Sequence, residues 1–526
     1  MDNKPLSKGR SGWFRVIAIL LPIVVLLVAE LLLRLFHYGH DTSLFILYPD
    51  NPDYRVMNKY AAERYFSDTV NETRGSIEPF RVEKSANTFR IFVLGESTTA
   101  GYPYFHNGAF HRWLEFRLMR EYPGIHFEVV NVSLTAVNSY TVLDFGKQVV
   151  HYQPDAVLVY AGHNEYYGAL GVGSTSHIAH QRWLVLLLLE LRKLRLVQLV
   201  EHVVASFRPG GGSGGSDGTP DERENLMQRM AAQQRIGYGS ADYYAGIQQF
   251  RDNMDELCRV MKDAGVPVFL STLVSNERDQ RPFISDSAGG AFDLGDSAYT
   301  AGEYSQAKQY YVQAKELDLL RFRAPEAMNR VIVELAVQYP GVHLVDTKRL
   351  FETYSPHSIL GRETLLEHVH PNLFGYALLS EAFYQSMRRV DLFKGQPAEE
   401  LSFADLLQQM PITGVDSLNG AYTIMMLKTR WPFDEPLPAG FKRGNSVEEQ
   451  LGGALAVGRI SWMDAMNQLF QYSQRTGDKK TALRAVGAVM LEYPDNATYK
   501  IFAGRLCLEL GDQRGADFYF RLAKEH

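Results

Sequence analysis

A serine placed two residues after a glycine, at the end of an apolar run, is a candidate nucleophile. Arg90-Ile91-Phe92-Val93-Leu94 leads directly into Gly95-Glu96-Ser97-Thr98-Thr99-Ala100-Gly101. A tight strand-to-helix turn at this point would expose the Ser97 hydroxyl. Such a hydroxyl attacks a carbonyl only when a base takes its proton, and a neutral imidazole suits that task near neutral pH. Two histidines compete for the role in Glu367-His368-Val369-His370-Pro371-Asn372. The imidazole's other N–H needs a carboxylate to hold it. Glu367 stands three residues before His370, whereas Leu365 stands three before His368. In an extended or single-turn segment that offset brings side chains together, so His370 is assigned as base and Glu367 as its orienting acid. Because glutamate is one methylene longer than aspartate, Glu367→Ala is expected to cost less activity than His370→Ala. A His368-x-His370 metal site would need a further ligand cluster, and the sequence supplies none of suitable spacing.

The elements that must position these residues are short apolar runs separated by helix-period stretches. Residues 90–94, 127–131, 156–160, 266–270 and 342–346 read as buried strands, and Phe110 to Tyr122 as one of the intervening helices. Strands alternating with helices imply a parallel sheet covered on both faces, with chemistry gathered at the carboxyl ends of the strands. The second strand opens into Asn131-Val132-Ser133-Leu134-Thr135-Ala136, and the third into Ala161-Gly162-His163-Asn164-Glu165. Together with Ser97 and the Glu367–His370 turn, four polar clusters follow one another at strand ends.

Over residues 87–390 this order of clusters resembles the SGNH/GDSL hydrolase superfamily. Ser97 matches the block-one nucleophile, with Gly-Glu-Ser where that family has Gly-Asp-Ser. Asn164, in Gly-His-Asn-Glu, matches the block-three asparagine, and His370, followed by Pro-Asn, the block-five histidine. Ala136 aligns with the block-two glycine, whose backbone N–H is what the family uses. Alanine there requires a backbone angle that a side chain tolerates. The resemblance implies a three-layer α/β/α sandwich with a five-stranded parallel sheet (a flavodoxin-like arrangement). It also implies an oxyanion hole formed by the N–H groups of Ser97 and Ala136 and the side-chain amide of Asn164, each donor worth about 10²–10³ in rate. Tyr166 and Tyr167 read as walls of the substrate pocket or equally as surface packing, Arg321 and Arg323 as clamps for an anionic or glycan substrate or as solvent-facing helix residues, and His163 as a structural neighbour of the site.

Around this unit, residues 87–395, the chain adds further segments. A cytoplasmic stretch, residues 1–15, carries Lys4, Lys8, Arg10 and Arg15 ahead of an apolar run from Val16 to Leu33. That run is long enough to span a bilayer, and the basic cluster keeps the N-terminus inside. A transmembrane helix over 16–36 is therefore expected, in preference to a cleaved signal peptide, because Glu30, Arg34, His37 and Tyr38 occupy the place of a small-residue cleavage site. Residues 37–86 form a juxtamembrane segment. Within the catalytic unit, residues 183–207 read as a leucine-rich amphipathic helix that is a lid, an acyl-chain surface, an interfacial helix or simply core packing. Residues 208–221 are a Gly/Ser-rich loop, and residues 296–330 a helical insertion. A linker is expected over 396–445. The tail, 446–526, repeats Gly477-Asp478 and Ala482 as Gly511-Asp512 and Ala516, in each case 34 residues later. This spacing resembles tetratricopeptide repeats, which would offer a surface for a protein partner.

The chain has 526 residues, too many for one domain, and a formal charge of −6 without a basic stripe, which argues against nucleic acid as a partner. Its two cysteines, Cys258 and Cys507, make neither a disulfide framework nor a zinc site. No metal and no cofactor are expected. The expectation is a single-pass membrane protein with its catalytic domain periplasmic or extracellular. It would be an esterase or deacetylase acting on an acylated envelope glycan or lipid. The same residues would also serve an O-acyltransferase, and the substitutions in the family's blocks would equally suit an idle scaffold assembling an envelope complex.

Overall fold

The computed structural model describes residues 8–66, 73, 75–173, 181–206, 231, 235–284, 286–393 and 396–524. Five strands, β4 (Thr88–Gly95), β5 (His126–Asn131), β6 (Ala156–Tyr160), β7 (Val268–Ser271) and β8 (Val342–Val345), make one sheet in the order β5-β4-β6-β7-β8. Every neighbouring pair is parallel. Strands covered on both faces must be apolar throughout. Ile91, Phe92, Val93 and Leu94 are each 0 % exposed. Burying side chains of this size contributes about 1.5–3 kcal/mol apiece. One face is covered by helices Phe110–Glu121 and Leu373–Arg389, which pack on each other. Helices Ser139–Val149, Ala241–Asp263 and Glu326–Gln338 cover the other. This is the expected α/β/α arrangement. Its strand order puts the serine-bearing strand between the two whose ends carry Ala136 and Asn164.

Among the described residues, the segment between the N-terminal helix and β4 is more ordered than its polar sequence suggests. It forms a small antiparallel sheet of β1 (Phe45–Tyr48), β2 (Asn51–Met57) and β3 (Phe80–Arg81). Phe45 and Phe80 pack edge-on to one another and against Phe92 of β4. Arg90 and Glu128, cross-strand partners, form a buried ion pair at 2.6 Å. Both residues continue outward: Arg90 donates to Arg81 O and Glu128 accepts from Arg81 N. A buried pair of this kind stands only because its remaining hydrogen-bonding groups are satisfied, and here Arg81 of the small sheet and the Tyr152 carbonyl do so.

The N-terminal helix runs Lys8–Leu35, and its segment Val16–Leu35 is long and apolar enough to cross a bilayer. The amphipathic stretch is not one helix but two, Arg182–Leu191 and Arg195–Ser206. The break follows from two contacts. Arg192 is drawn inward to Arg64 O and Glu201, and the Glu30 carboxylate accepts from the N–H groups of Arg195 and Leu196, capping the second helix. The Gly/Ser-rich stretch after it, residues 208–221, lies outside the described residues.

The expected helical insertion is a hairpin of Asp286–Thr300 and Tyr304–Leu317. The stretch read as a linker also differs from expectation, because it contains helices Phe403–Gln409 and Gly414–Lys428. Ser402 and Thr413 cap them by accepting from the N–H groups of Asp405 and Asp416. Five further helices follow, from Val447 to Lys524. The 34-residue echo falls on two equivalent corners, where Gly477 and Gly511 take φ values of 76° and 75°. Ala482 and Ala516 are each 0 % exposed where helices meet. These helices dock on the catalytic unit: Asn107 Nδ2 donates to Ala488 O at 2.9 Å, and His106 stacks on Trp462.

Candidate active site

Strand β4 ends at Gly95 and a single helical turn, Ser97–Ala100, begins two residues later. A Cβ at Gly95 would fall against Tyr160 O and the Thr99 hydroxyl, so this corner closes only with glycine. Thr99 Oγ1 donates to Tyr160 O at 2.6 Å, fastening the turn to the end of β6. Glu96 does not cap the turn. Its buried carboxyl faces the neighbouring loop instead, accepting from Gly162 N at 2.9 Å and Asn164 N at 3.1 Å. Burial pushes this carboxyl up to about 8 against those backbone donors.

The Glu367–His370 turn arrives from the far end of the chain, just before helix Leu373–Arg389. His370 Nε2 lies 2.8 Å from Ser97 Oγ, and its Nδ1 faces Glu367 Oε1. The carboxylate of Glu367 also accepts from the backbone N–H groups of His368, Val369 and His370, which folds the segment into a single turn. His370 is 7 % exposed, and burial holds its ring pKa down, to about 3. The imidazole is thus neutral near pH 7, the form that can accept a proton. Burial likewise holds the His368 ring well below the ordinary histidine range, with Phe283, Phe322 and Phe433 packed around it.

On one side of the serine, Ala136 adopts a φ of 59°. An L-residue pays about 1–2 kcal/mol for this region, which glycine enters freely. On the other side, Asn164 is half-buried, its N–H on Glu96. The two loops are tied together through one turn, in which Asn164 O accepts from Gly168 N and Ala136 O accepts from Ala169 N. Ser97, Glu367 and His370 are thus brought into contact, while Ala136 and Asn164 sit on the loops flanking the serine strand.

The four residues placed as substrate contacts are positioned differently. Tyr166 and Tyr167 are 0 % and 2 % exposed, and their hydroxyls donate to Tyr243 O and Leu319 O. Arg321, also buried, donates to Ile236 O and Glu316 O, and Arg323 pairs with Asp318 while donating to Asn276 O and Gln280 O. These side chains tie loops together, with most of the bonds they make going to backbone carbonyls and one to the Asp318 carboxylate. His163 is buried and pushed down to about 3, and it accepts from Ala324 N as a neutral ring. Tyr102 was not anticipated, yet its ring centroid lies 4.8 Å from that of His370. Only its proximity to the serine in sequence could have drawn attention to it. Among the described residues no cluster of three or more His, Cys, Asp or Glu side chains is arranged to hold a metal ion.

The model of the GDSL-like lipase/acylhydrolase family matches residues 93–378, more than half of the chain. Fourteen solved chains match in structure. One is a mutant acetyl-xylooligosaccharide esterase from Geobacillus Stearmophilus. It is 14 % identical, with 57 % of this chain and 94 % of that one covered at a TM-score of 0.31. Another is a lipase/acylhydrolase from Enterococcus faecalis, 12 % identical, with 59 % and 99 % covered at a TM-score of 0.29. No curated protein sequence matches the chain.

Proposed function

The chain belongs to the GDSL-like lipase/acylhydrolase family, and from that premise we propose that it cleaves ester-linked acyl groups through a covalent Ser97 acyl-enzyme. One observation supports the mechanism above all others: the 2.8 Å approach of His370 Nε2 to Ser97 Oγ, with Glu367 on the opposite ring nitrogen. In this reading His370 takes the hydroxyl proton as Ser97 Oγ attacks the acyl carbonyl. The resulting oxyanion is met by the N–H groups of Ser97 and Ala136 and by the Asn164 amide. His370 then gives its proton to the departing alkoxide. Water attacks the acyl-enzyme with His370 again as base, releasing the acid and restoring the serine.

The substrate we propose is an acylated glycan or lipid of the cell envelope. Its support is location. The basic residues before Val16 favour a cytoplasmic N-terminus, which puts the catalytic unit on the outer side of an anchoring helix. The anchor is read as retained because Glu30 caps an internal helix, so its removal would leave those N–H groups uncapped.

The test is hydrolysis by the full-length protein in nanodiscs, first of p-nitrophenyl acetate and then of acetylated oligosaccharides and acylated lipids. Turnover that disappears in both Ser97→Ala and His370→Ala is expected. Turnover that survives either substitution would defeat the proposed mechanism.

A further inference from the structure

The two helices Arg182–Leu191 and Arg195–Ser206 present apolar surface on the side that faces away from the protein. Trp183, Leu187 and Leu191, four residues apart, are 65 %, 44 % and 39 % exposed, and Val200, Val203 and Val204 are 54 %, 47 % and 50 % exposed. Each set forms one stripe along its helix. The opposite faces are already occupied by protein, for Val185 and Leu189 are buried, as are Arg192 and Gln198. An apolar stripe turned away from the protein needs a second apolar medium to cover it.

The position of these helices says which medium. The second helix starts against the last turns of the membrane-spanning run: Glu30 caps Arg195 and Leu196, and Arg34 donates to Lys193 O. Just beyond, Tyr38 Oη meets His202 Nδ1 and Gln198 bonds to the backbone of His40 on both its amide atoms. The same turns of the anchor carry Leu31, Leu35 and Phe36, 66 %, 67 % and 76 % exposed. The stripes of the helix pair therefore begin at the level where the spanning segment leaves hydrocarbon. The long side chain of Lys193, exposed at this depth, can extend to the headgroups while its stem stays in the apolar layer.

We propose that this helix pair lies in the membrane interface, its stripes embedded at the boundary of headgroups and acyl chains. The catalytic unit would then rest on the bilayer at a fixed height instead of swinging from a single helix. Apolar faces of this type enter the interface to a depth of about 5–10 Å. The inference depends on the anchor reading above, so the experiment contains a control for it.

Both native cysteines, Cys258 and Cys507, are buried, so a cysteine introduced at an exposed site can be spin-labelled selectively. Labels at Leu187→Cys and Val203→Cys are compared in full-length protein in phosphatidylcholine nanodiscs, after circular dichroism has verified folding. Val24→Cys serves as the within-span control and Val337→Cys, 83 % exposed on helix Glu326–Gln338, as the water control. The expected result is an oxygen-to-nickel-chelate collision ratio at 187 and 203 several-fold above that at 337 and approaching that at 24. A ratio at 187 and 203 equal to that at 337 overturns the platform while leaving the anchor intact. A water-like ratio at 24 removes both. Spin–spin broadening between copies at position 203, with the nickel ratio still water-like, would make a second copy the occupant and likewise overturn the proposal.

Discussion

Glu367 turns one carboxylate oxygen to the Nδ1 of His370, and the same carboxylate accepts three backbone N–H groups of the turn. Its carboxylate thus shapes the turn as well as orienting the ring. Glu367→Gln keeps an acceptor for the turn but removes the charge that steadies an imidazolium. It is expected to lower kcat by about 10²–10⁴, less than His370→Ala does. Steady-state kinetics on a soluble ester would show this. An unchanged kcat would take Glu367 out of the mechanism.

Asn164 and Glu96 form a second linked pair, since the Glu96 carboxyl accepts the Asn164 N–H. Asn164→Ala is expected to reduce kcat by about 10²–10³ with little change in KM, the mark of an interaction made only in the transition state. Glu96→Ala should move kcat in the same direction through the loop. If either substitution raised KM alone, the oxyanion role would be wrong.

At Ala136 the φ of 59° is strain that a glycine would relieve. Ala136→Gly is expected to raise unfolding free energy by about 1 kcal/mol and to leave kcat near its original value, because the role rests on the backbone N–H. Thermal denaturation and turnover measure the two halves separately. A large loss of kcat in a stabilised variant would show that the Ala136 side chain matters.

The pH dependence follows from burial. His163 and His370 are each held down to about 3, below the ordinary value near 6.5. The folded state thus keeps these rings neutral while the unfolded chain protonates them. That stability is present above pH 6.5 and is lost as pH falls toward 3. The base likewise stays deprotonated, so the acid limb of kcat/KM should have its midpoint well below 6.5. A midpoint at or above 6.5, in a pH range where circular dichroism shows the fold intact, would contradict this. Glu96, raised to about 8, acts with the opposite sign. Its contribution is complete below the unfolded glutamate value of about 4.3 and falls as pH rises through 8.

The sheet was readable because parallel strands covered on both faces are continuous apolar runs, as at Ile91–Leu94 and Ala156–Tyr160. The positions of Ser97 after β4 and Asn164 after β6 were readable because polar clusters interrupt those runs where strands end, and the polar turn ending in His370 stood out in the same way. The sheet of β1, β2 and β3 was not, since its strands are short and its outer face is solvated. Nor were helices Phe403–Gln409 and Gly414–Lys428, whose burial comes from docking that spacing does not reveal. Tyr166, Tyr167, Arg321 and Arg323 show a further limit on such reading. A sequence gives the reach of a polar side chain but not its direction, and here each turns inward to a backbone carbonyl or a buried carboxylate.

The most direct test is covalent labelling of the folded protein with a fluorophosphonate, followed by peptide mapping. An adduct is predicted on Ser97, absent from Ser97→Ala and strongly slowed in His370→Ala. An adduct on another residue, or labelling of Ser97 at an undiminished rate without His370, would contradict the proposed pairing of hydroxyl and imidazole.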